Sequence, residues 1–220
     1  MSSIFLPPTI DSLSTLTHIQ PPELLRHSRA VSHLAQDLAQ VAGGSNLEQE
    51  RVCMGGLLHD IGKQFIPNAI LEKKEKLTTA EYERIQLHPW TGYAYLYNFV
   101  SDPIILNTVL YHHERWNGTG YPYRLKGEQI PLSARICALA DVWDALVSER
   151  CYRSAWCLTQ AMDLIWAGAG SLFDPELAYQ FLTMIDTQYA HVETSESAVI
   201  AEVKSKHLSL ENINSRTSLP

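Results

Sequence analysis

No apolar run in this sequence approaches the roughly 20 residues of a membrane span. Residues 1–22, MSSIFLPPTIDSLSTLTHIQPP, lack both a basic stretch and a long apolar one, so no secretory signal is expected. Cysteine is scarce. Cys53, Cys137, Cys151 and Cys157 form neither a CxxC pair nor a disulfide framework. The expectation is a cytoplasmic, reducing location with each thiol a small buried hydrophobe. Basic clusters are missing too. With a net charge of −7, double-stranded nucleic acid is excluded as an expected partner. EKKEK at 72–76 mixes its signs and reads as a solvated face. An acidic chain can still receive a phosphate-bearing ligand if bound cations reverse the local field. Alternating strand patterns and internal repeats are essentially absent.

What is present is helical. The 220 residues, 45% hydrophobic, suffice for one domain with a real core. Residues 1–20 are Ser/Thr/Pro-rich and read as an extension. Residues 21–190 read as a single all-α domain, and 191–220 as a polar tail with a short helix near AVIAEVKSKHL. Pro21-Pro22 opens the first long helix. Its apolar face carries His27, Val31, Leu34, Leu38 and Val41, and Gly43-Gly44 stops it. A second helix is expected from about 46 to 59, then a loop with a short helical turn. Thr78 and Glu81 form a capping box for a third, which runs to His88 with Pro89 marking its end. Further helices are predicted near 92–100, 103–113, 132–152, 158–168 and 174–186, with a glycine-bearing loop at 114–130.

Nine histidines is high for this length, and their places matter. His27 shares a core face, where a buried imidazole needs a partner, and Glu23 lies one turn before it. His59-Asp60 ends an apolar helix inside GLLHDIGK. His88 opens HPWTG, and His112-His113 ends its helix. Asp141 sits in the apolar stretch ALADVWDAL, where a carboxylate is costly unless paired or bound to metal. Asp144, on the same face, reads as one half of an Asp–Arg pair. Glu23, His27, His59, Asp60, His88, His112, His113 and Asp141 outnumber the about three to six ligands of one metal. Two or three metals are expected, and N/O donors without thiolate favour Fe or Mn. Adjacent helical residues diverge by about 100°. His112 and His113 are therefore expected to serve different metals, with Asp60 bridging. His18, His33, His191 and His207 are assigned to surface or tails.

In order, HDIGK, HPWTG, HHERWNGTGYP, ARICALADVWDAL, SERCYR and FDP resemble the HD-GYP branch of the HD superfamily of metal-dependent phosphohydrolases, over roughly residues 21–185. The resemblance implies an all-α HD-type bundle and a bi- or trinuclear centre. It also implies hydrolysis of the bacterial second messenger cyclic di-GMP to pGpG or GMP. By the same resemblance His27, His59, Asp60, His88, His112, His113 and Asp141 are ligands, with Asp60 bridging. Glu23 matches the acid that accompanies a third metal. Lys63 matches a lysine that approaches a substrate phosphate. Gly120, Tyr121 and Pro122 match the GYP loop, and Arg150 and Arg153 match basic positions at the ligand. Asn117 stands where Asp is usual, and Cys151 where Pro is frequent. Residues 1–20 are too few for the receiver, PAS or GAF domain that most members carry.

The chemistry expected is in-line attack on phosphorus by a hydroxide held between two cations, whose charge lowers the pKa of water toward about 7. Lys63 then donates to developing charge, and Tyr121 either stacks on a guanine or packs on its own loop. Two rival readings stand beside this one: an HD phosphohydrolase of another cyclic dinucleotide or a nucleotide, and a non-catalytic module that signals through partners such as a diguanylate cyclase. A homodimer is compatible with all three.

Overall fold

The computed structural model describes residues 21–148 and 156–189. The chain forms nine α-helices among these residues: α1 Pro22–Val41, α2 Asn46–Leu58, α3 Asn68–Leu71, α4 Thr79–Ile85, α5 His88–Leu96, α6 Pro103–Tyr111, α7 Leu132–Val147, α8 Leu158–Gly168 and α9 Pro175–Tyr189. Short 3-10 turns occupy Ile61–Phe65 and Gly127–Gln129. No strand occurs among the described residues, only an isolated bridge between Ala169 and Phe173. The fold is all-α, as expected, and none of these helices is long and apolar enough to cross a membrane.

Local chemistry sets the helix ends. Ser45 caps α2 and Thr78 caps α4, each in a reciprocal capping box with Glu48 and Glu81. Asp102 caps α6 through its side chain. After α1, Gly43 takes φ +83°, and the Gly44 amide returns to the Ala39 carbonyl. Pro89 does not end a helix. α4 stops at Ile85, and Pro89 sits in the first turn of α5, where its missing N–H costs nothing. The expected 92–100 helix therefore begins at His88. α7 also stops earlier than expected, because Ser148 turns to extended backbone (φ −87°, ψ 137°).

Two apolar clusters hold these elements. The larger joins α1, α7, α8 and α9 through Val31, Leu38, Ile136, Trp143, Phe181 and Leu182. Trp143 meets Phe181 edge-on at 5.5 Å, a geometry that contributes about 0.5–1.5 kcal/mol beyond burial. The smaller joins α2, α5 and α6 through Leu58, Ile61, Leu96 and Val109. On α1 the apolar face fades at its end, where Val41 is exposed. Of the cysteines, Cys137 is buried and Cys53 half-buried, but Cys157 is exposed, so the buried role does not extend to all of them. Cys151, like His18, His191, His207 and the expected tail helix, lies outside the described residues.

Candidate metal centre

Helix ends aim the histidines. The last carbonyls of a helix have no intrahelical partner. His59, His88 and His112 each place Nδ1 on the carbonyl three residues back: Gly56 at 2.7 Å, Ile85 at 2.8 Å and Val109 at 2.9 Å. A carbonyl only accepts, so each Nδ1 carries the hydrogen. Each Nε2 is then left with a lone pair directed inward. His27 also turns its Nε2 inward from within α1, its Nδ1 lying 2.6 Å from Asp144 Oδ2. Asp144 therefore pairs with a histidine; of the arginines available to it, Arg135 pairs with Asp174 instead, and Arg150 and Arg153 lie outside the described residues. The signal was its place one turn beyond Asp141.

The inward nitrogens meet Asp60. Its Oδ1 lies 3.2 Å from His88 Nε2 and 3.9 Å from His112 Nε2. Its Oδ2 lies 3.3 Å from His59 Nε2 and 2.5 Å from Lys63 Nζ. Asp141 Oδ1 lies 3.1 Å from His27 Nε2 and 3.9 Å from His59 Nε2. Two groups with mutually close donor atoms result: Asp60, His88, His112 and His113, and His27, His59 and Asp60. His112 and His113 fall in one group, with ring centroids 4.1 Å apart. This corrects the expected divergence, because His112 is the C-cap of α6 and His113 lies beyond it, outside the helical rotation. Glu23 is exposed in the first turn of α1 and belongs to neither group.

The electrostatics are those of a cation site. Burial opposes a charge on His27, but Asp141 and Asp144 outweigh it and lift its pKa to about 9. Burial would raise Asp60 and Asp141, yet Lys63 and His59 hold the first, and His27 and His59 the second, well below the usual carboxylate range. Burial, with the neighbouring imidazoles, lowers His112 far below the usual range and His113 to about 3. His59 Nε2 and Asp60 Oδ1 are buried without a hydrogen-bond partner, which is uncommon in a folded interior. His88 Nε2 and His112 Nε2 face each other at 3.2 Å, each with a lone pair. Opposed lone pairs and an orphaned carboxylate oxygen fit a divalent cation, and the N/O donor set is compatible with one.

The 114–130 loop forms the neighbouring wall. Gly120 is buried, and a Cβ there would meet the backbone of Glu114 and His113 within 2.6 Å. Tyr121 packs its ring on His113, with centroids 4.7 Å apart, and its amide donates to the His113 carbonyl at 3.2 Å. Burial pushes the Tyr121 phenol far above its usual pKa. Pro122 follows through a cis peptide. Glu114, a residue sequence reasoning passed over, is buried and accepts the amides of Tyr123 and Leu125 at 2.7 and 3.1 Å. Trp116 and Asn117 donate to the carbonyls of Leu172 and Ser171. Asp174 of FDP pairs with Arg135 at 2.6 Å. Arg150 and Arg153 lie outside the described residues.

These features define a helical domain built around a shared aspartate and converging imidazoles. The HD domain family model matches residues 11–177, against the 21–190 expected for the domain. The cyclic di-GMP phosphodiesterase response regulator RpfG of Xanthomonas campestris is 44% identical over 147 residues, 66% of this chain and 39% of that protein. A 3'3'-cGAMP-specific phosphodiesterase 2 of Vibrio cholerae is 34% identical over 168 residues, 76% and 32% of the two chains. The solved structure of Bd1817, an HDG"Y"P protein from Bdellovibrio bacteriovorus, has the same fold. Its TM-score is 0.62 at 20% identity, covering 81% of this chain and 58% of that one. The chain belongs to the HD domain family, in its HD-GYP branch. It spans well under half the length of the two curated relatives.

Proposed function

We propose that this chain is a phosphodiesterase that hydrolyses cyclic di-GMP to pGpG or GMP at two divalent cations, iron or manganese. The observation that carries this reading is the convergence of four inward Nε2 atoms on Asp60 and Asp141, with both oxygens of Asp60 engaged on different sides. Divalent cations bound there supply Lewis acidity, neutralising phosphoryl charge and acidifying water. His27, His59, Asp60 and Asp141 would hold one, and Asp60, His88, His112 and His113 the other. A third ion at Glu23 has less support, since Glu23 is exposed outside both groups.

The remaining roles follow from placement. Lys63, half-buried with its ammonium on Asp60 Oδ2, stands at the edge of the cluster and can donate to charge developing on a phosphate oxygen bound there. Tyr121 serves as a wall against His113, and Gly120 lets that wall approach closely. A second substrate, a cyclic GMP-AMP, is favoured by the likeness to the Vibrio cholerae enzyme.

The test is anaerobic loading with Fe(II) or Mn(II), then incubation with cyclic di-GMP and 3'3'-cGAMP and chromatography of the products. The expected result is pGpG or GMP from cyclic di-GMP, abolished in Asp60→Ala. A metal-loaded protein that leaves both dinucleotides intact overturns the reading. Faster turnover of cGAMP decides for the second substrate.

A further inference from the structure

The imidazoles that point into the cluster are not held alike. His59, His88 and His112 each rest on a neutral carbonyl. His27 rests on a carboxylate, Asp144 Oδ2, at 2.6 Å, and both residues are buried. The other oxygen, Oδ1, accepts the Ser148 hydroxyl at 2.8 Å. Both oxygens are thus engaged, and the carboxylate cannot turn without losing a bond. A carboxylate behind an imidazole fixes the ring and raises its basicity toward a cation more than a carbonyl does.

The charge around the two groups is unequal in the same sense. Beside His27 and His59 stand Asp60 and Asp141, with Asp144 behind His27. Beside His88, His112 and His113 stands the shared Asp60 alone among the carboxylates of that group. Three carboxylates make direct contacts within or behind the first group, whereas the second contains Asp60 and feels Asp141 only through its field on His113. Lys63 opposes this by pairing with Asp60 Oδ2 on the His59 side, but it offsets a single charge.

We propose that Asp144 is a positioning residue that makes the His27 group the tighter of two cation positions, so that the His88–His112–His113 position fills second and empties first. This rests on the reading of the cluster as a metal centre. The device is separate from substrate, since Asp144 touches His27 and Ser148 within the protein.

The experiment is graded removal of Mn(II) from the full chain by a chelator, with retained metal counted by elemental analysis and followed by electron paramagnetic resonance. Wild-type protein is expected to release its ions in two steps and hold one persistently. His88→Ala should lose only the easily released ion. Asp144→Asn keeps an acceptor of the same shape for His27, so the fold should survive, as a thermal melt will verify. It should weaken the persistent ion by roughly 10–100-fold and leave the other unchanged. Asp144→Asn acting on the easily released ion, or on neither, overturns the proposal alone. Loss of the persistent ion in His88→Ala does the same. Wild-type protein that takes up no Mn(II) overturns the metal-centre reading itself.

Discussion

The amide of Tyr123 donates to Glu114 Oε1 at 2.7 Å, so one buried carboxylate spans the whole turn that contains Tyr121 and Pro122. Leu125 binds the other oxygen. Glu114→Ala leaves two amides without this partner, at a cost of about 2 kcal/mol. For a domain of this size that is a fall in Tm of roughly 4–8 °C, read by a circular dichroism melt. Because Tyr121 packs on His113, the same change should lower activity. Glu114→Gln retains one acceptor oxygen and should recover part of both losses. Full activity in Glu114→Ala would mean that the wall does not position the site.

Gly62 stands against the start of α5. A Cβ there would fall on the His88 carbonyl oxygen and lie 2.7 Å from the Gly92 amide nitrogen. These are backbone atoms and cannot swing aside. Gly62→Ala should destabilise the chain by about 3 kcal/mol and displace His88 as it does so. Urea titration gives the first effect, and metal counting gives the second. Wild-type values in both would show that α5 shifts freely.

Proton release should accompany metal binding. His27, lifted to about 9, is charged at neutral pH without metal, while His113, held at about 3, is already neutral. A cation on His27 Nε2 must displace its proton. Calorimetric titration at pH 7.5 in buffers of different ionisation enthalpy should show about one proton leaving at this position, and none once pH exceeds the His27 pKa. In the metal-free chain the sign for stability also follows. The raised pKa contributes stability that is complete below the unfolded value, 6.5, and lost as pH rises through about 9. Enthalpies that do not change with buffer would contradict this.

Asn117 accepts the Thr119 amide at 3.0 Å and its hydroxyl at 2.7 Å through the same Oδ1. An aspartate oxygen accepts both equally well. Asn117→Asp should therefore change stability by no more than about 0.5 kcal/mol, and turnover hardly at all. The departure from the usual Asp lies in the turn, not in the metal cluster. A large change in substrate preference would show that the loop's charge, and not its shape, matters.

Much of this was legible in the sequence because it is local. The capping boxes at Ser45 and Thr78, the apolar stripe of α1 and the Gly43 stop all depend on neighbours within a turn or two. His59, His112 and His113 are legible from helix ends, His27 from its place on the apolar face of α1, and Asp60 from adjacency to His59. What escaped was set by contacts across long separations. Nothing local names His27, 117 residues away, as a partner of Asp144. Glu114 hid because its acceptors' worth depends on a loop folding back on it. Pro89 was ambiguous, since a proline is equally at home after a helix and in its first turn. His113 was placed by helical rotation, which stops applying at the C-cap.

Asp60 makes the centre vulnerable in one place. His27, His59, His88, His112 and His113 each belong to one group, so under the proposed reading the loss of any one costs a single cation. Asp60 belongs to both. If each group holds a cation as proposed, a variant lacking this carboxylate has no partial state to fall back on, and both share a single point of failure.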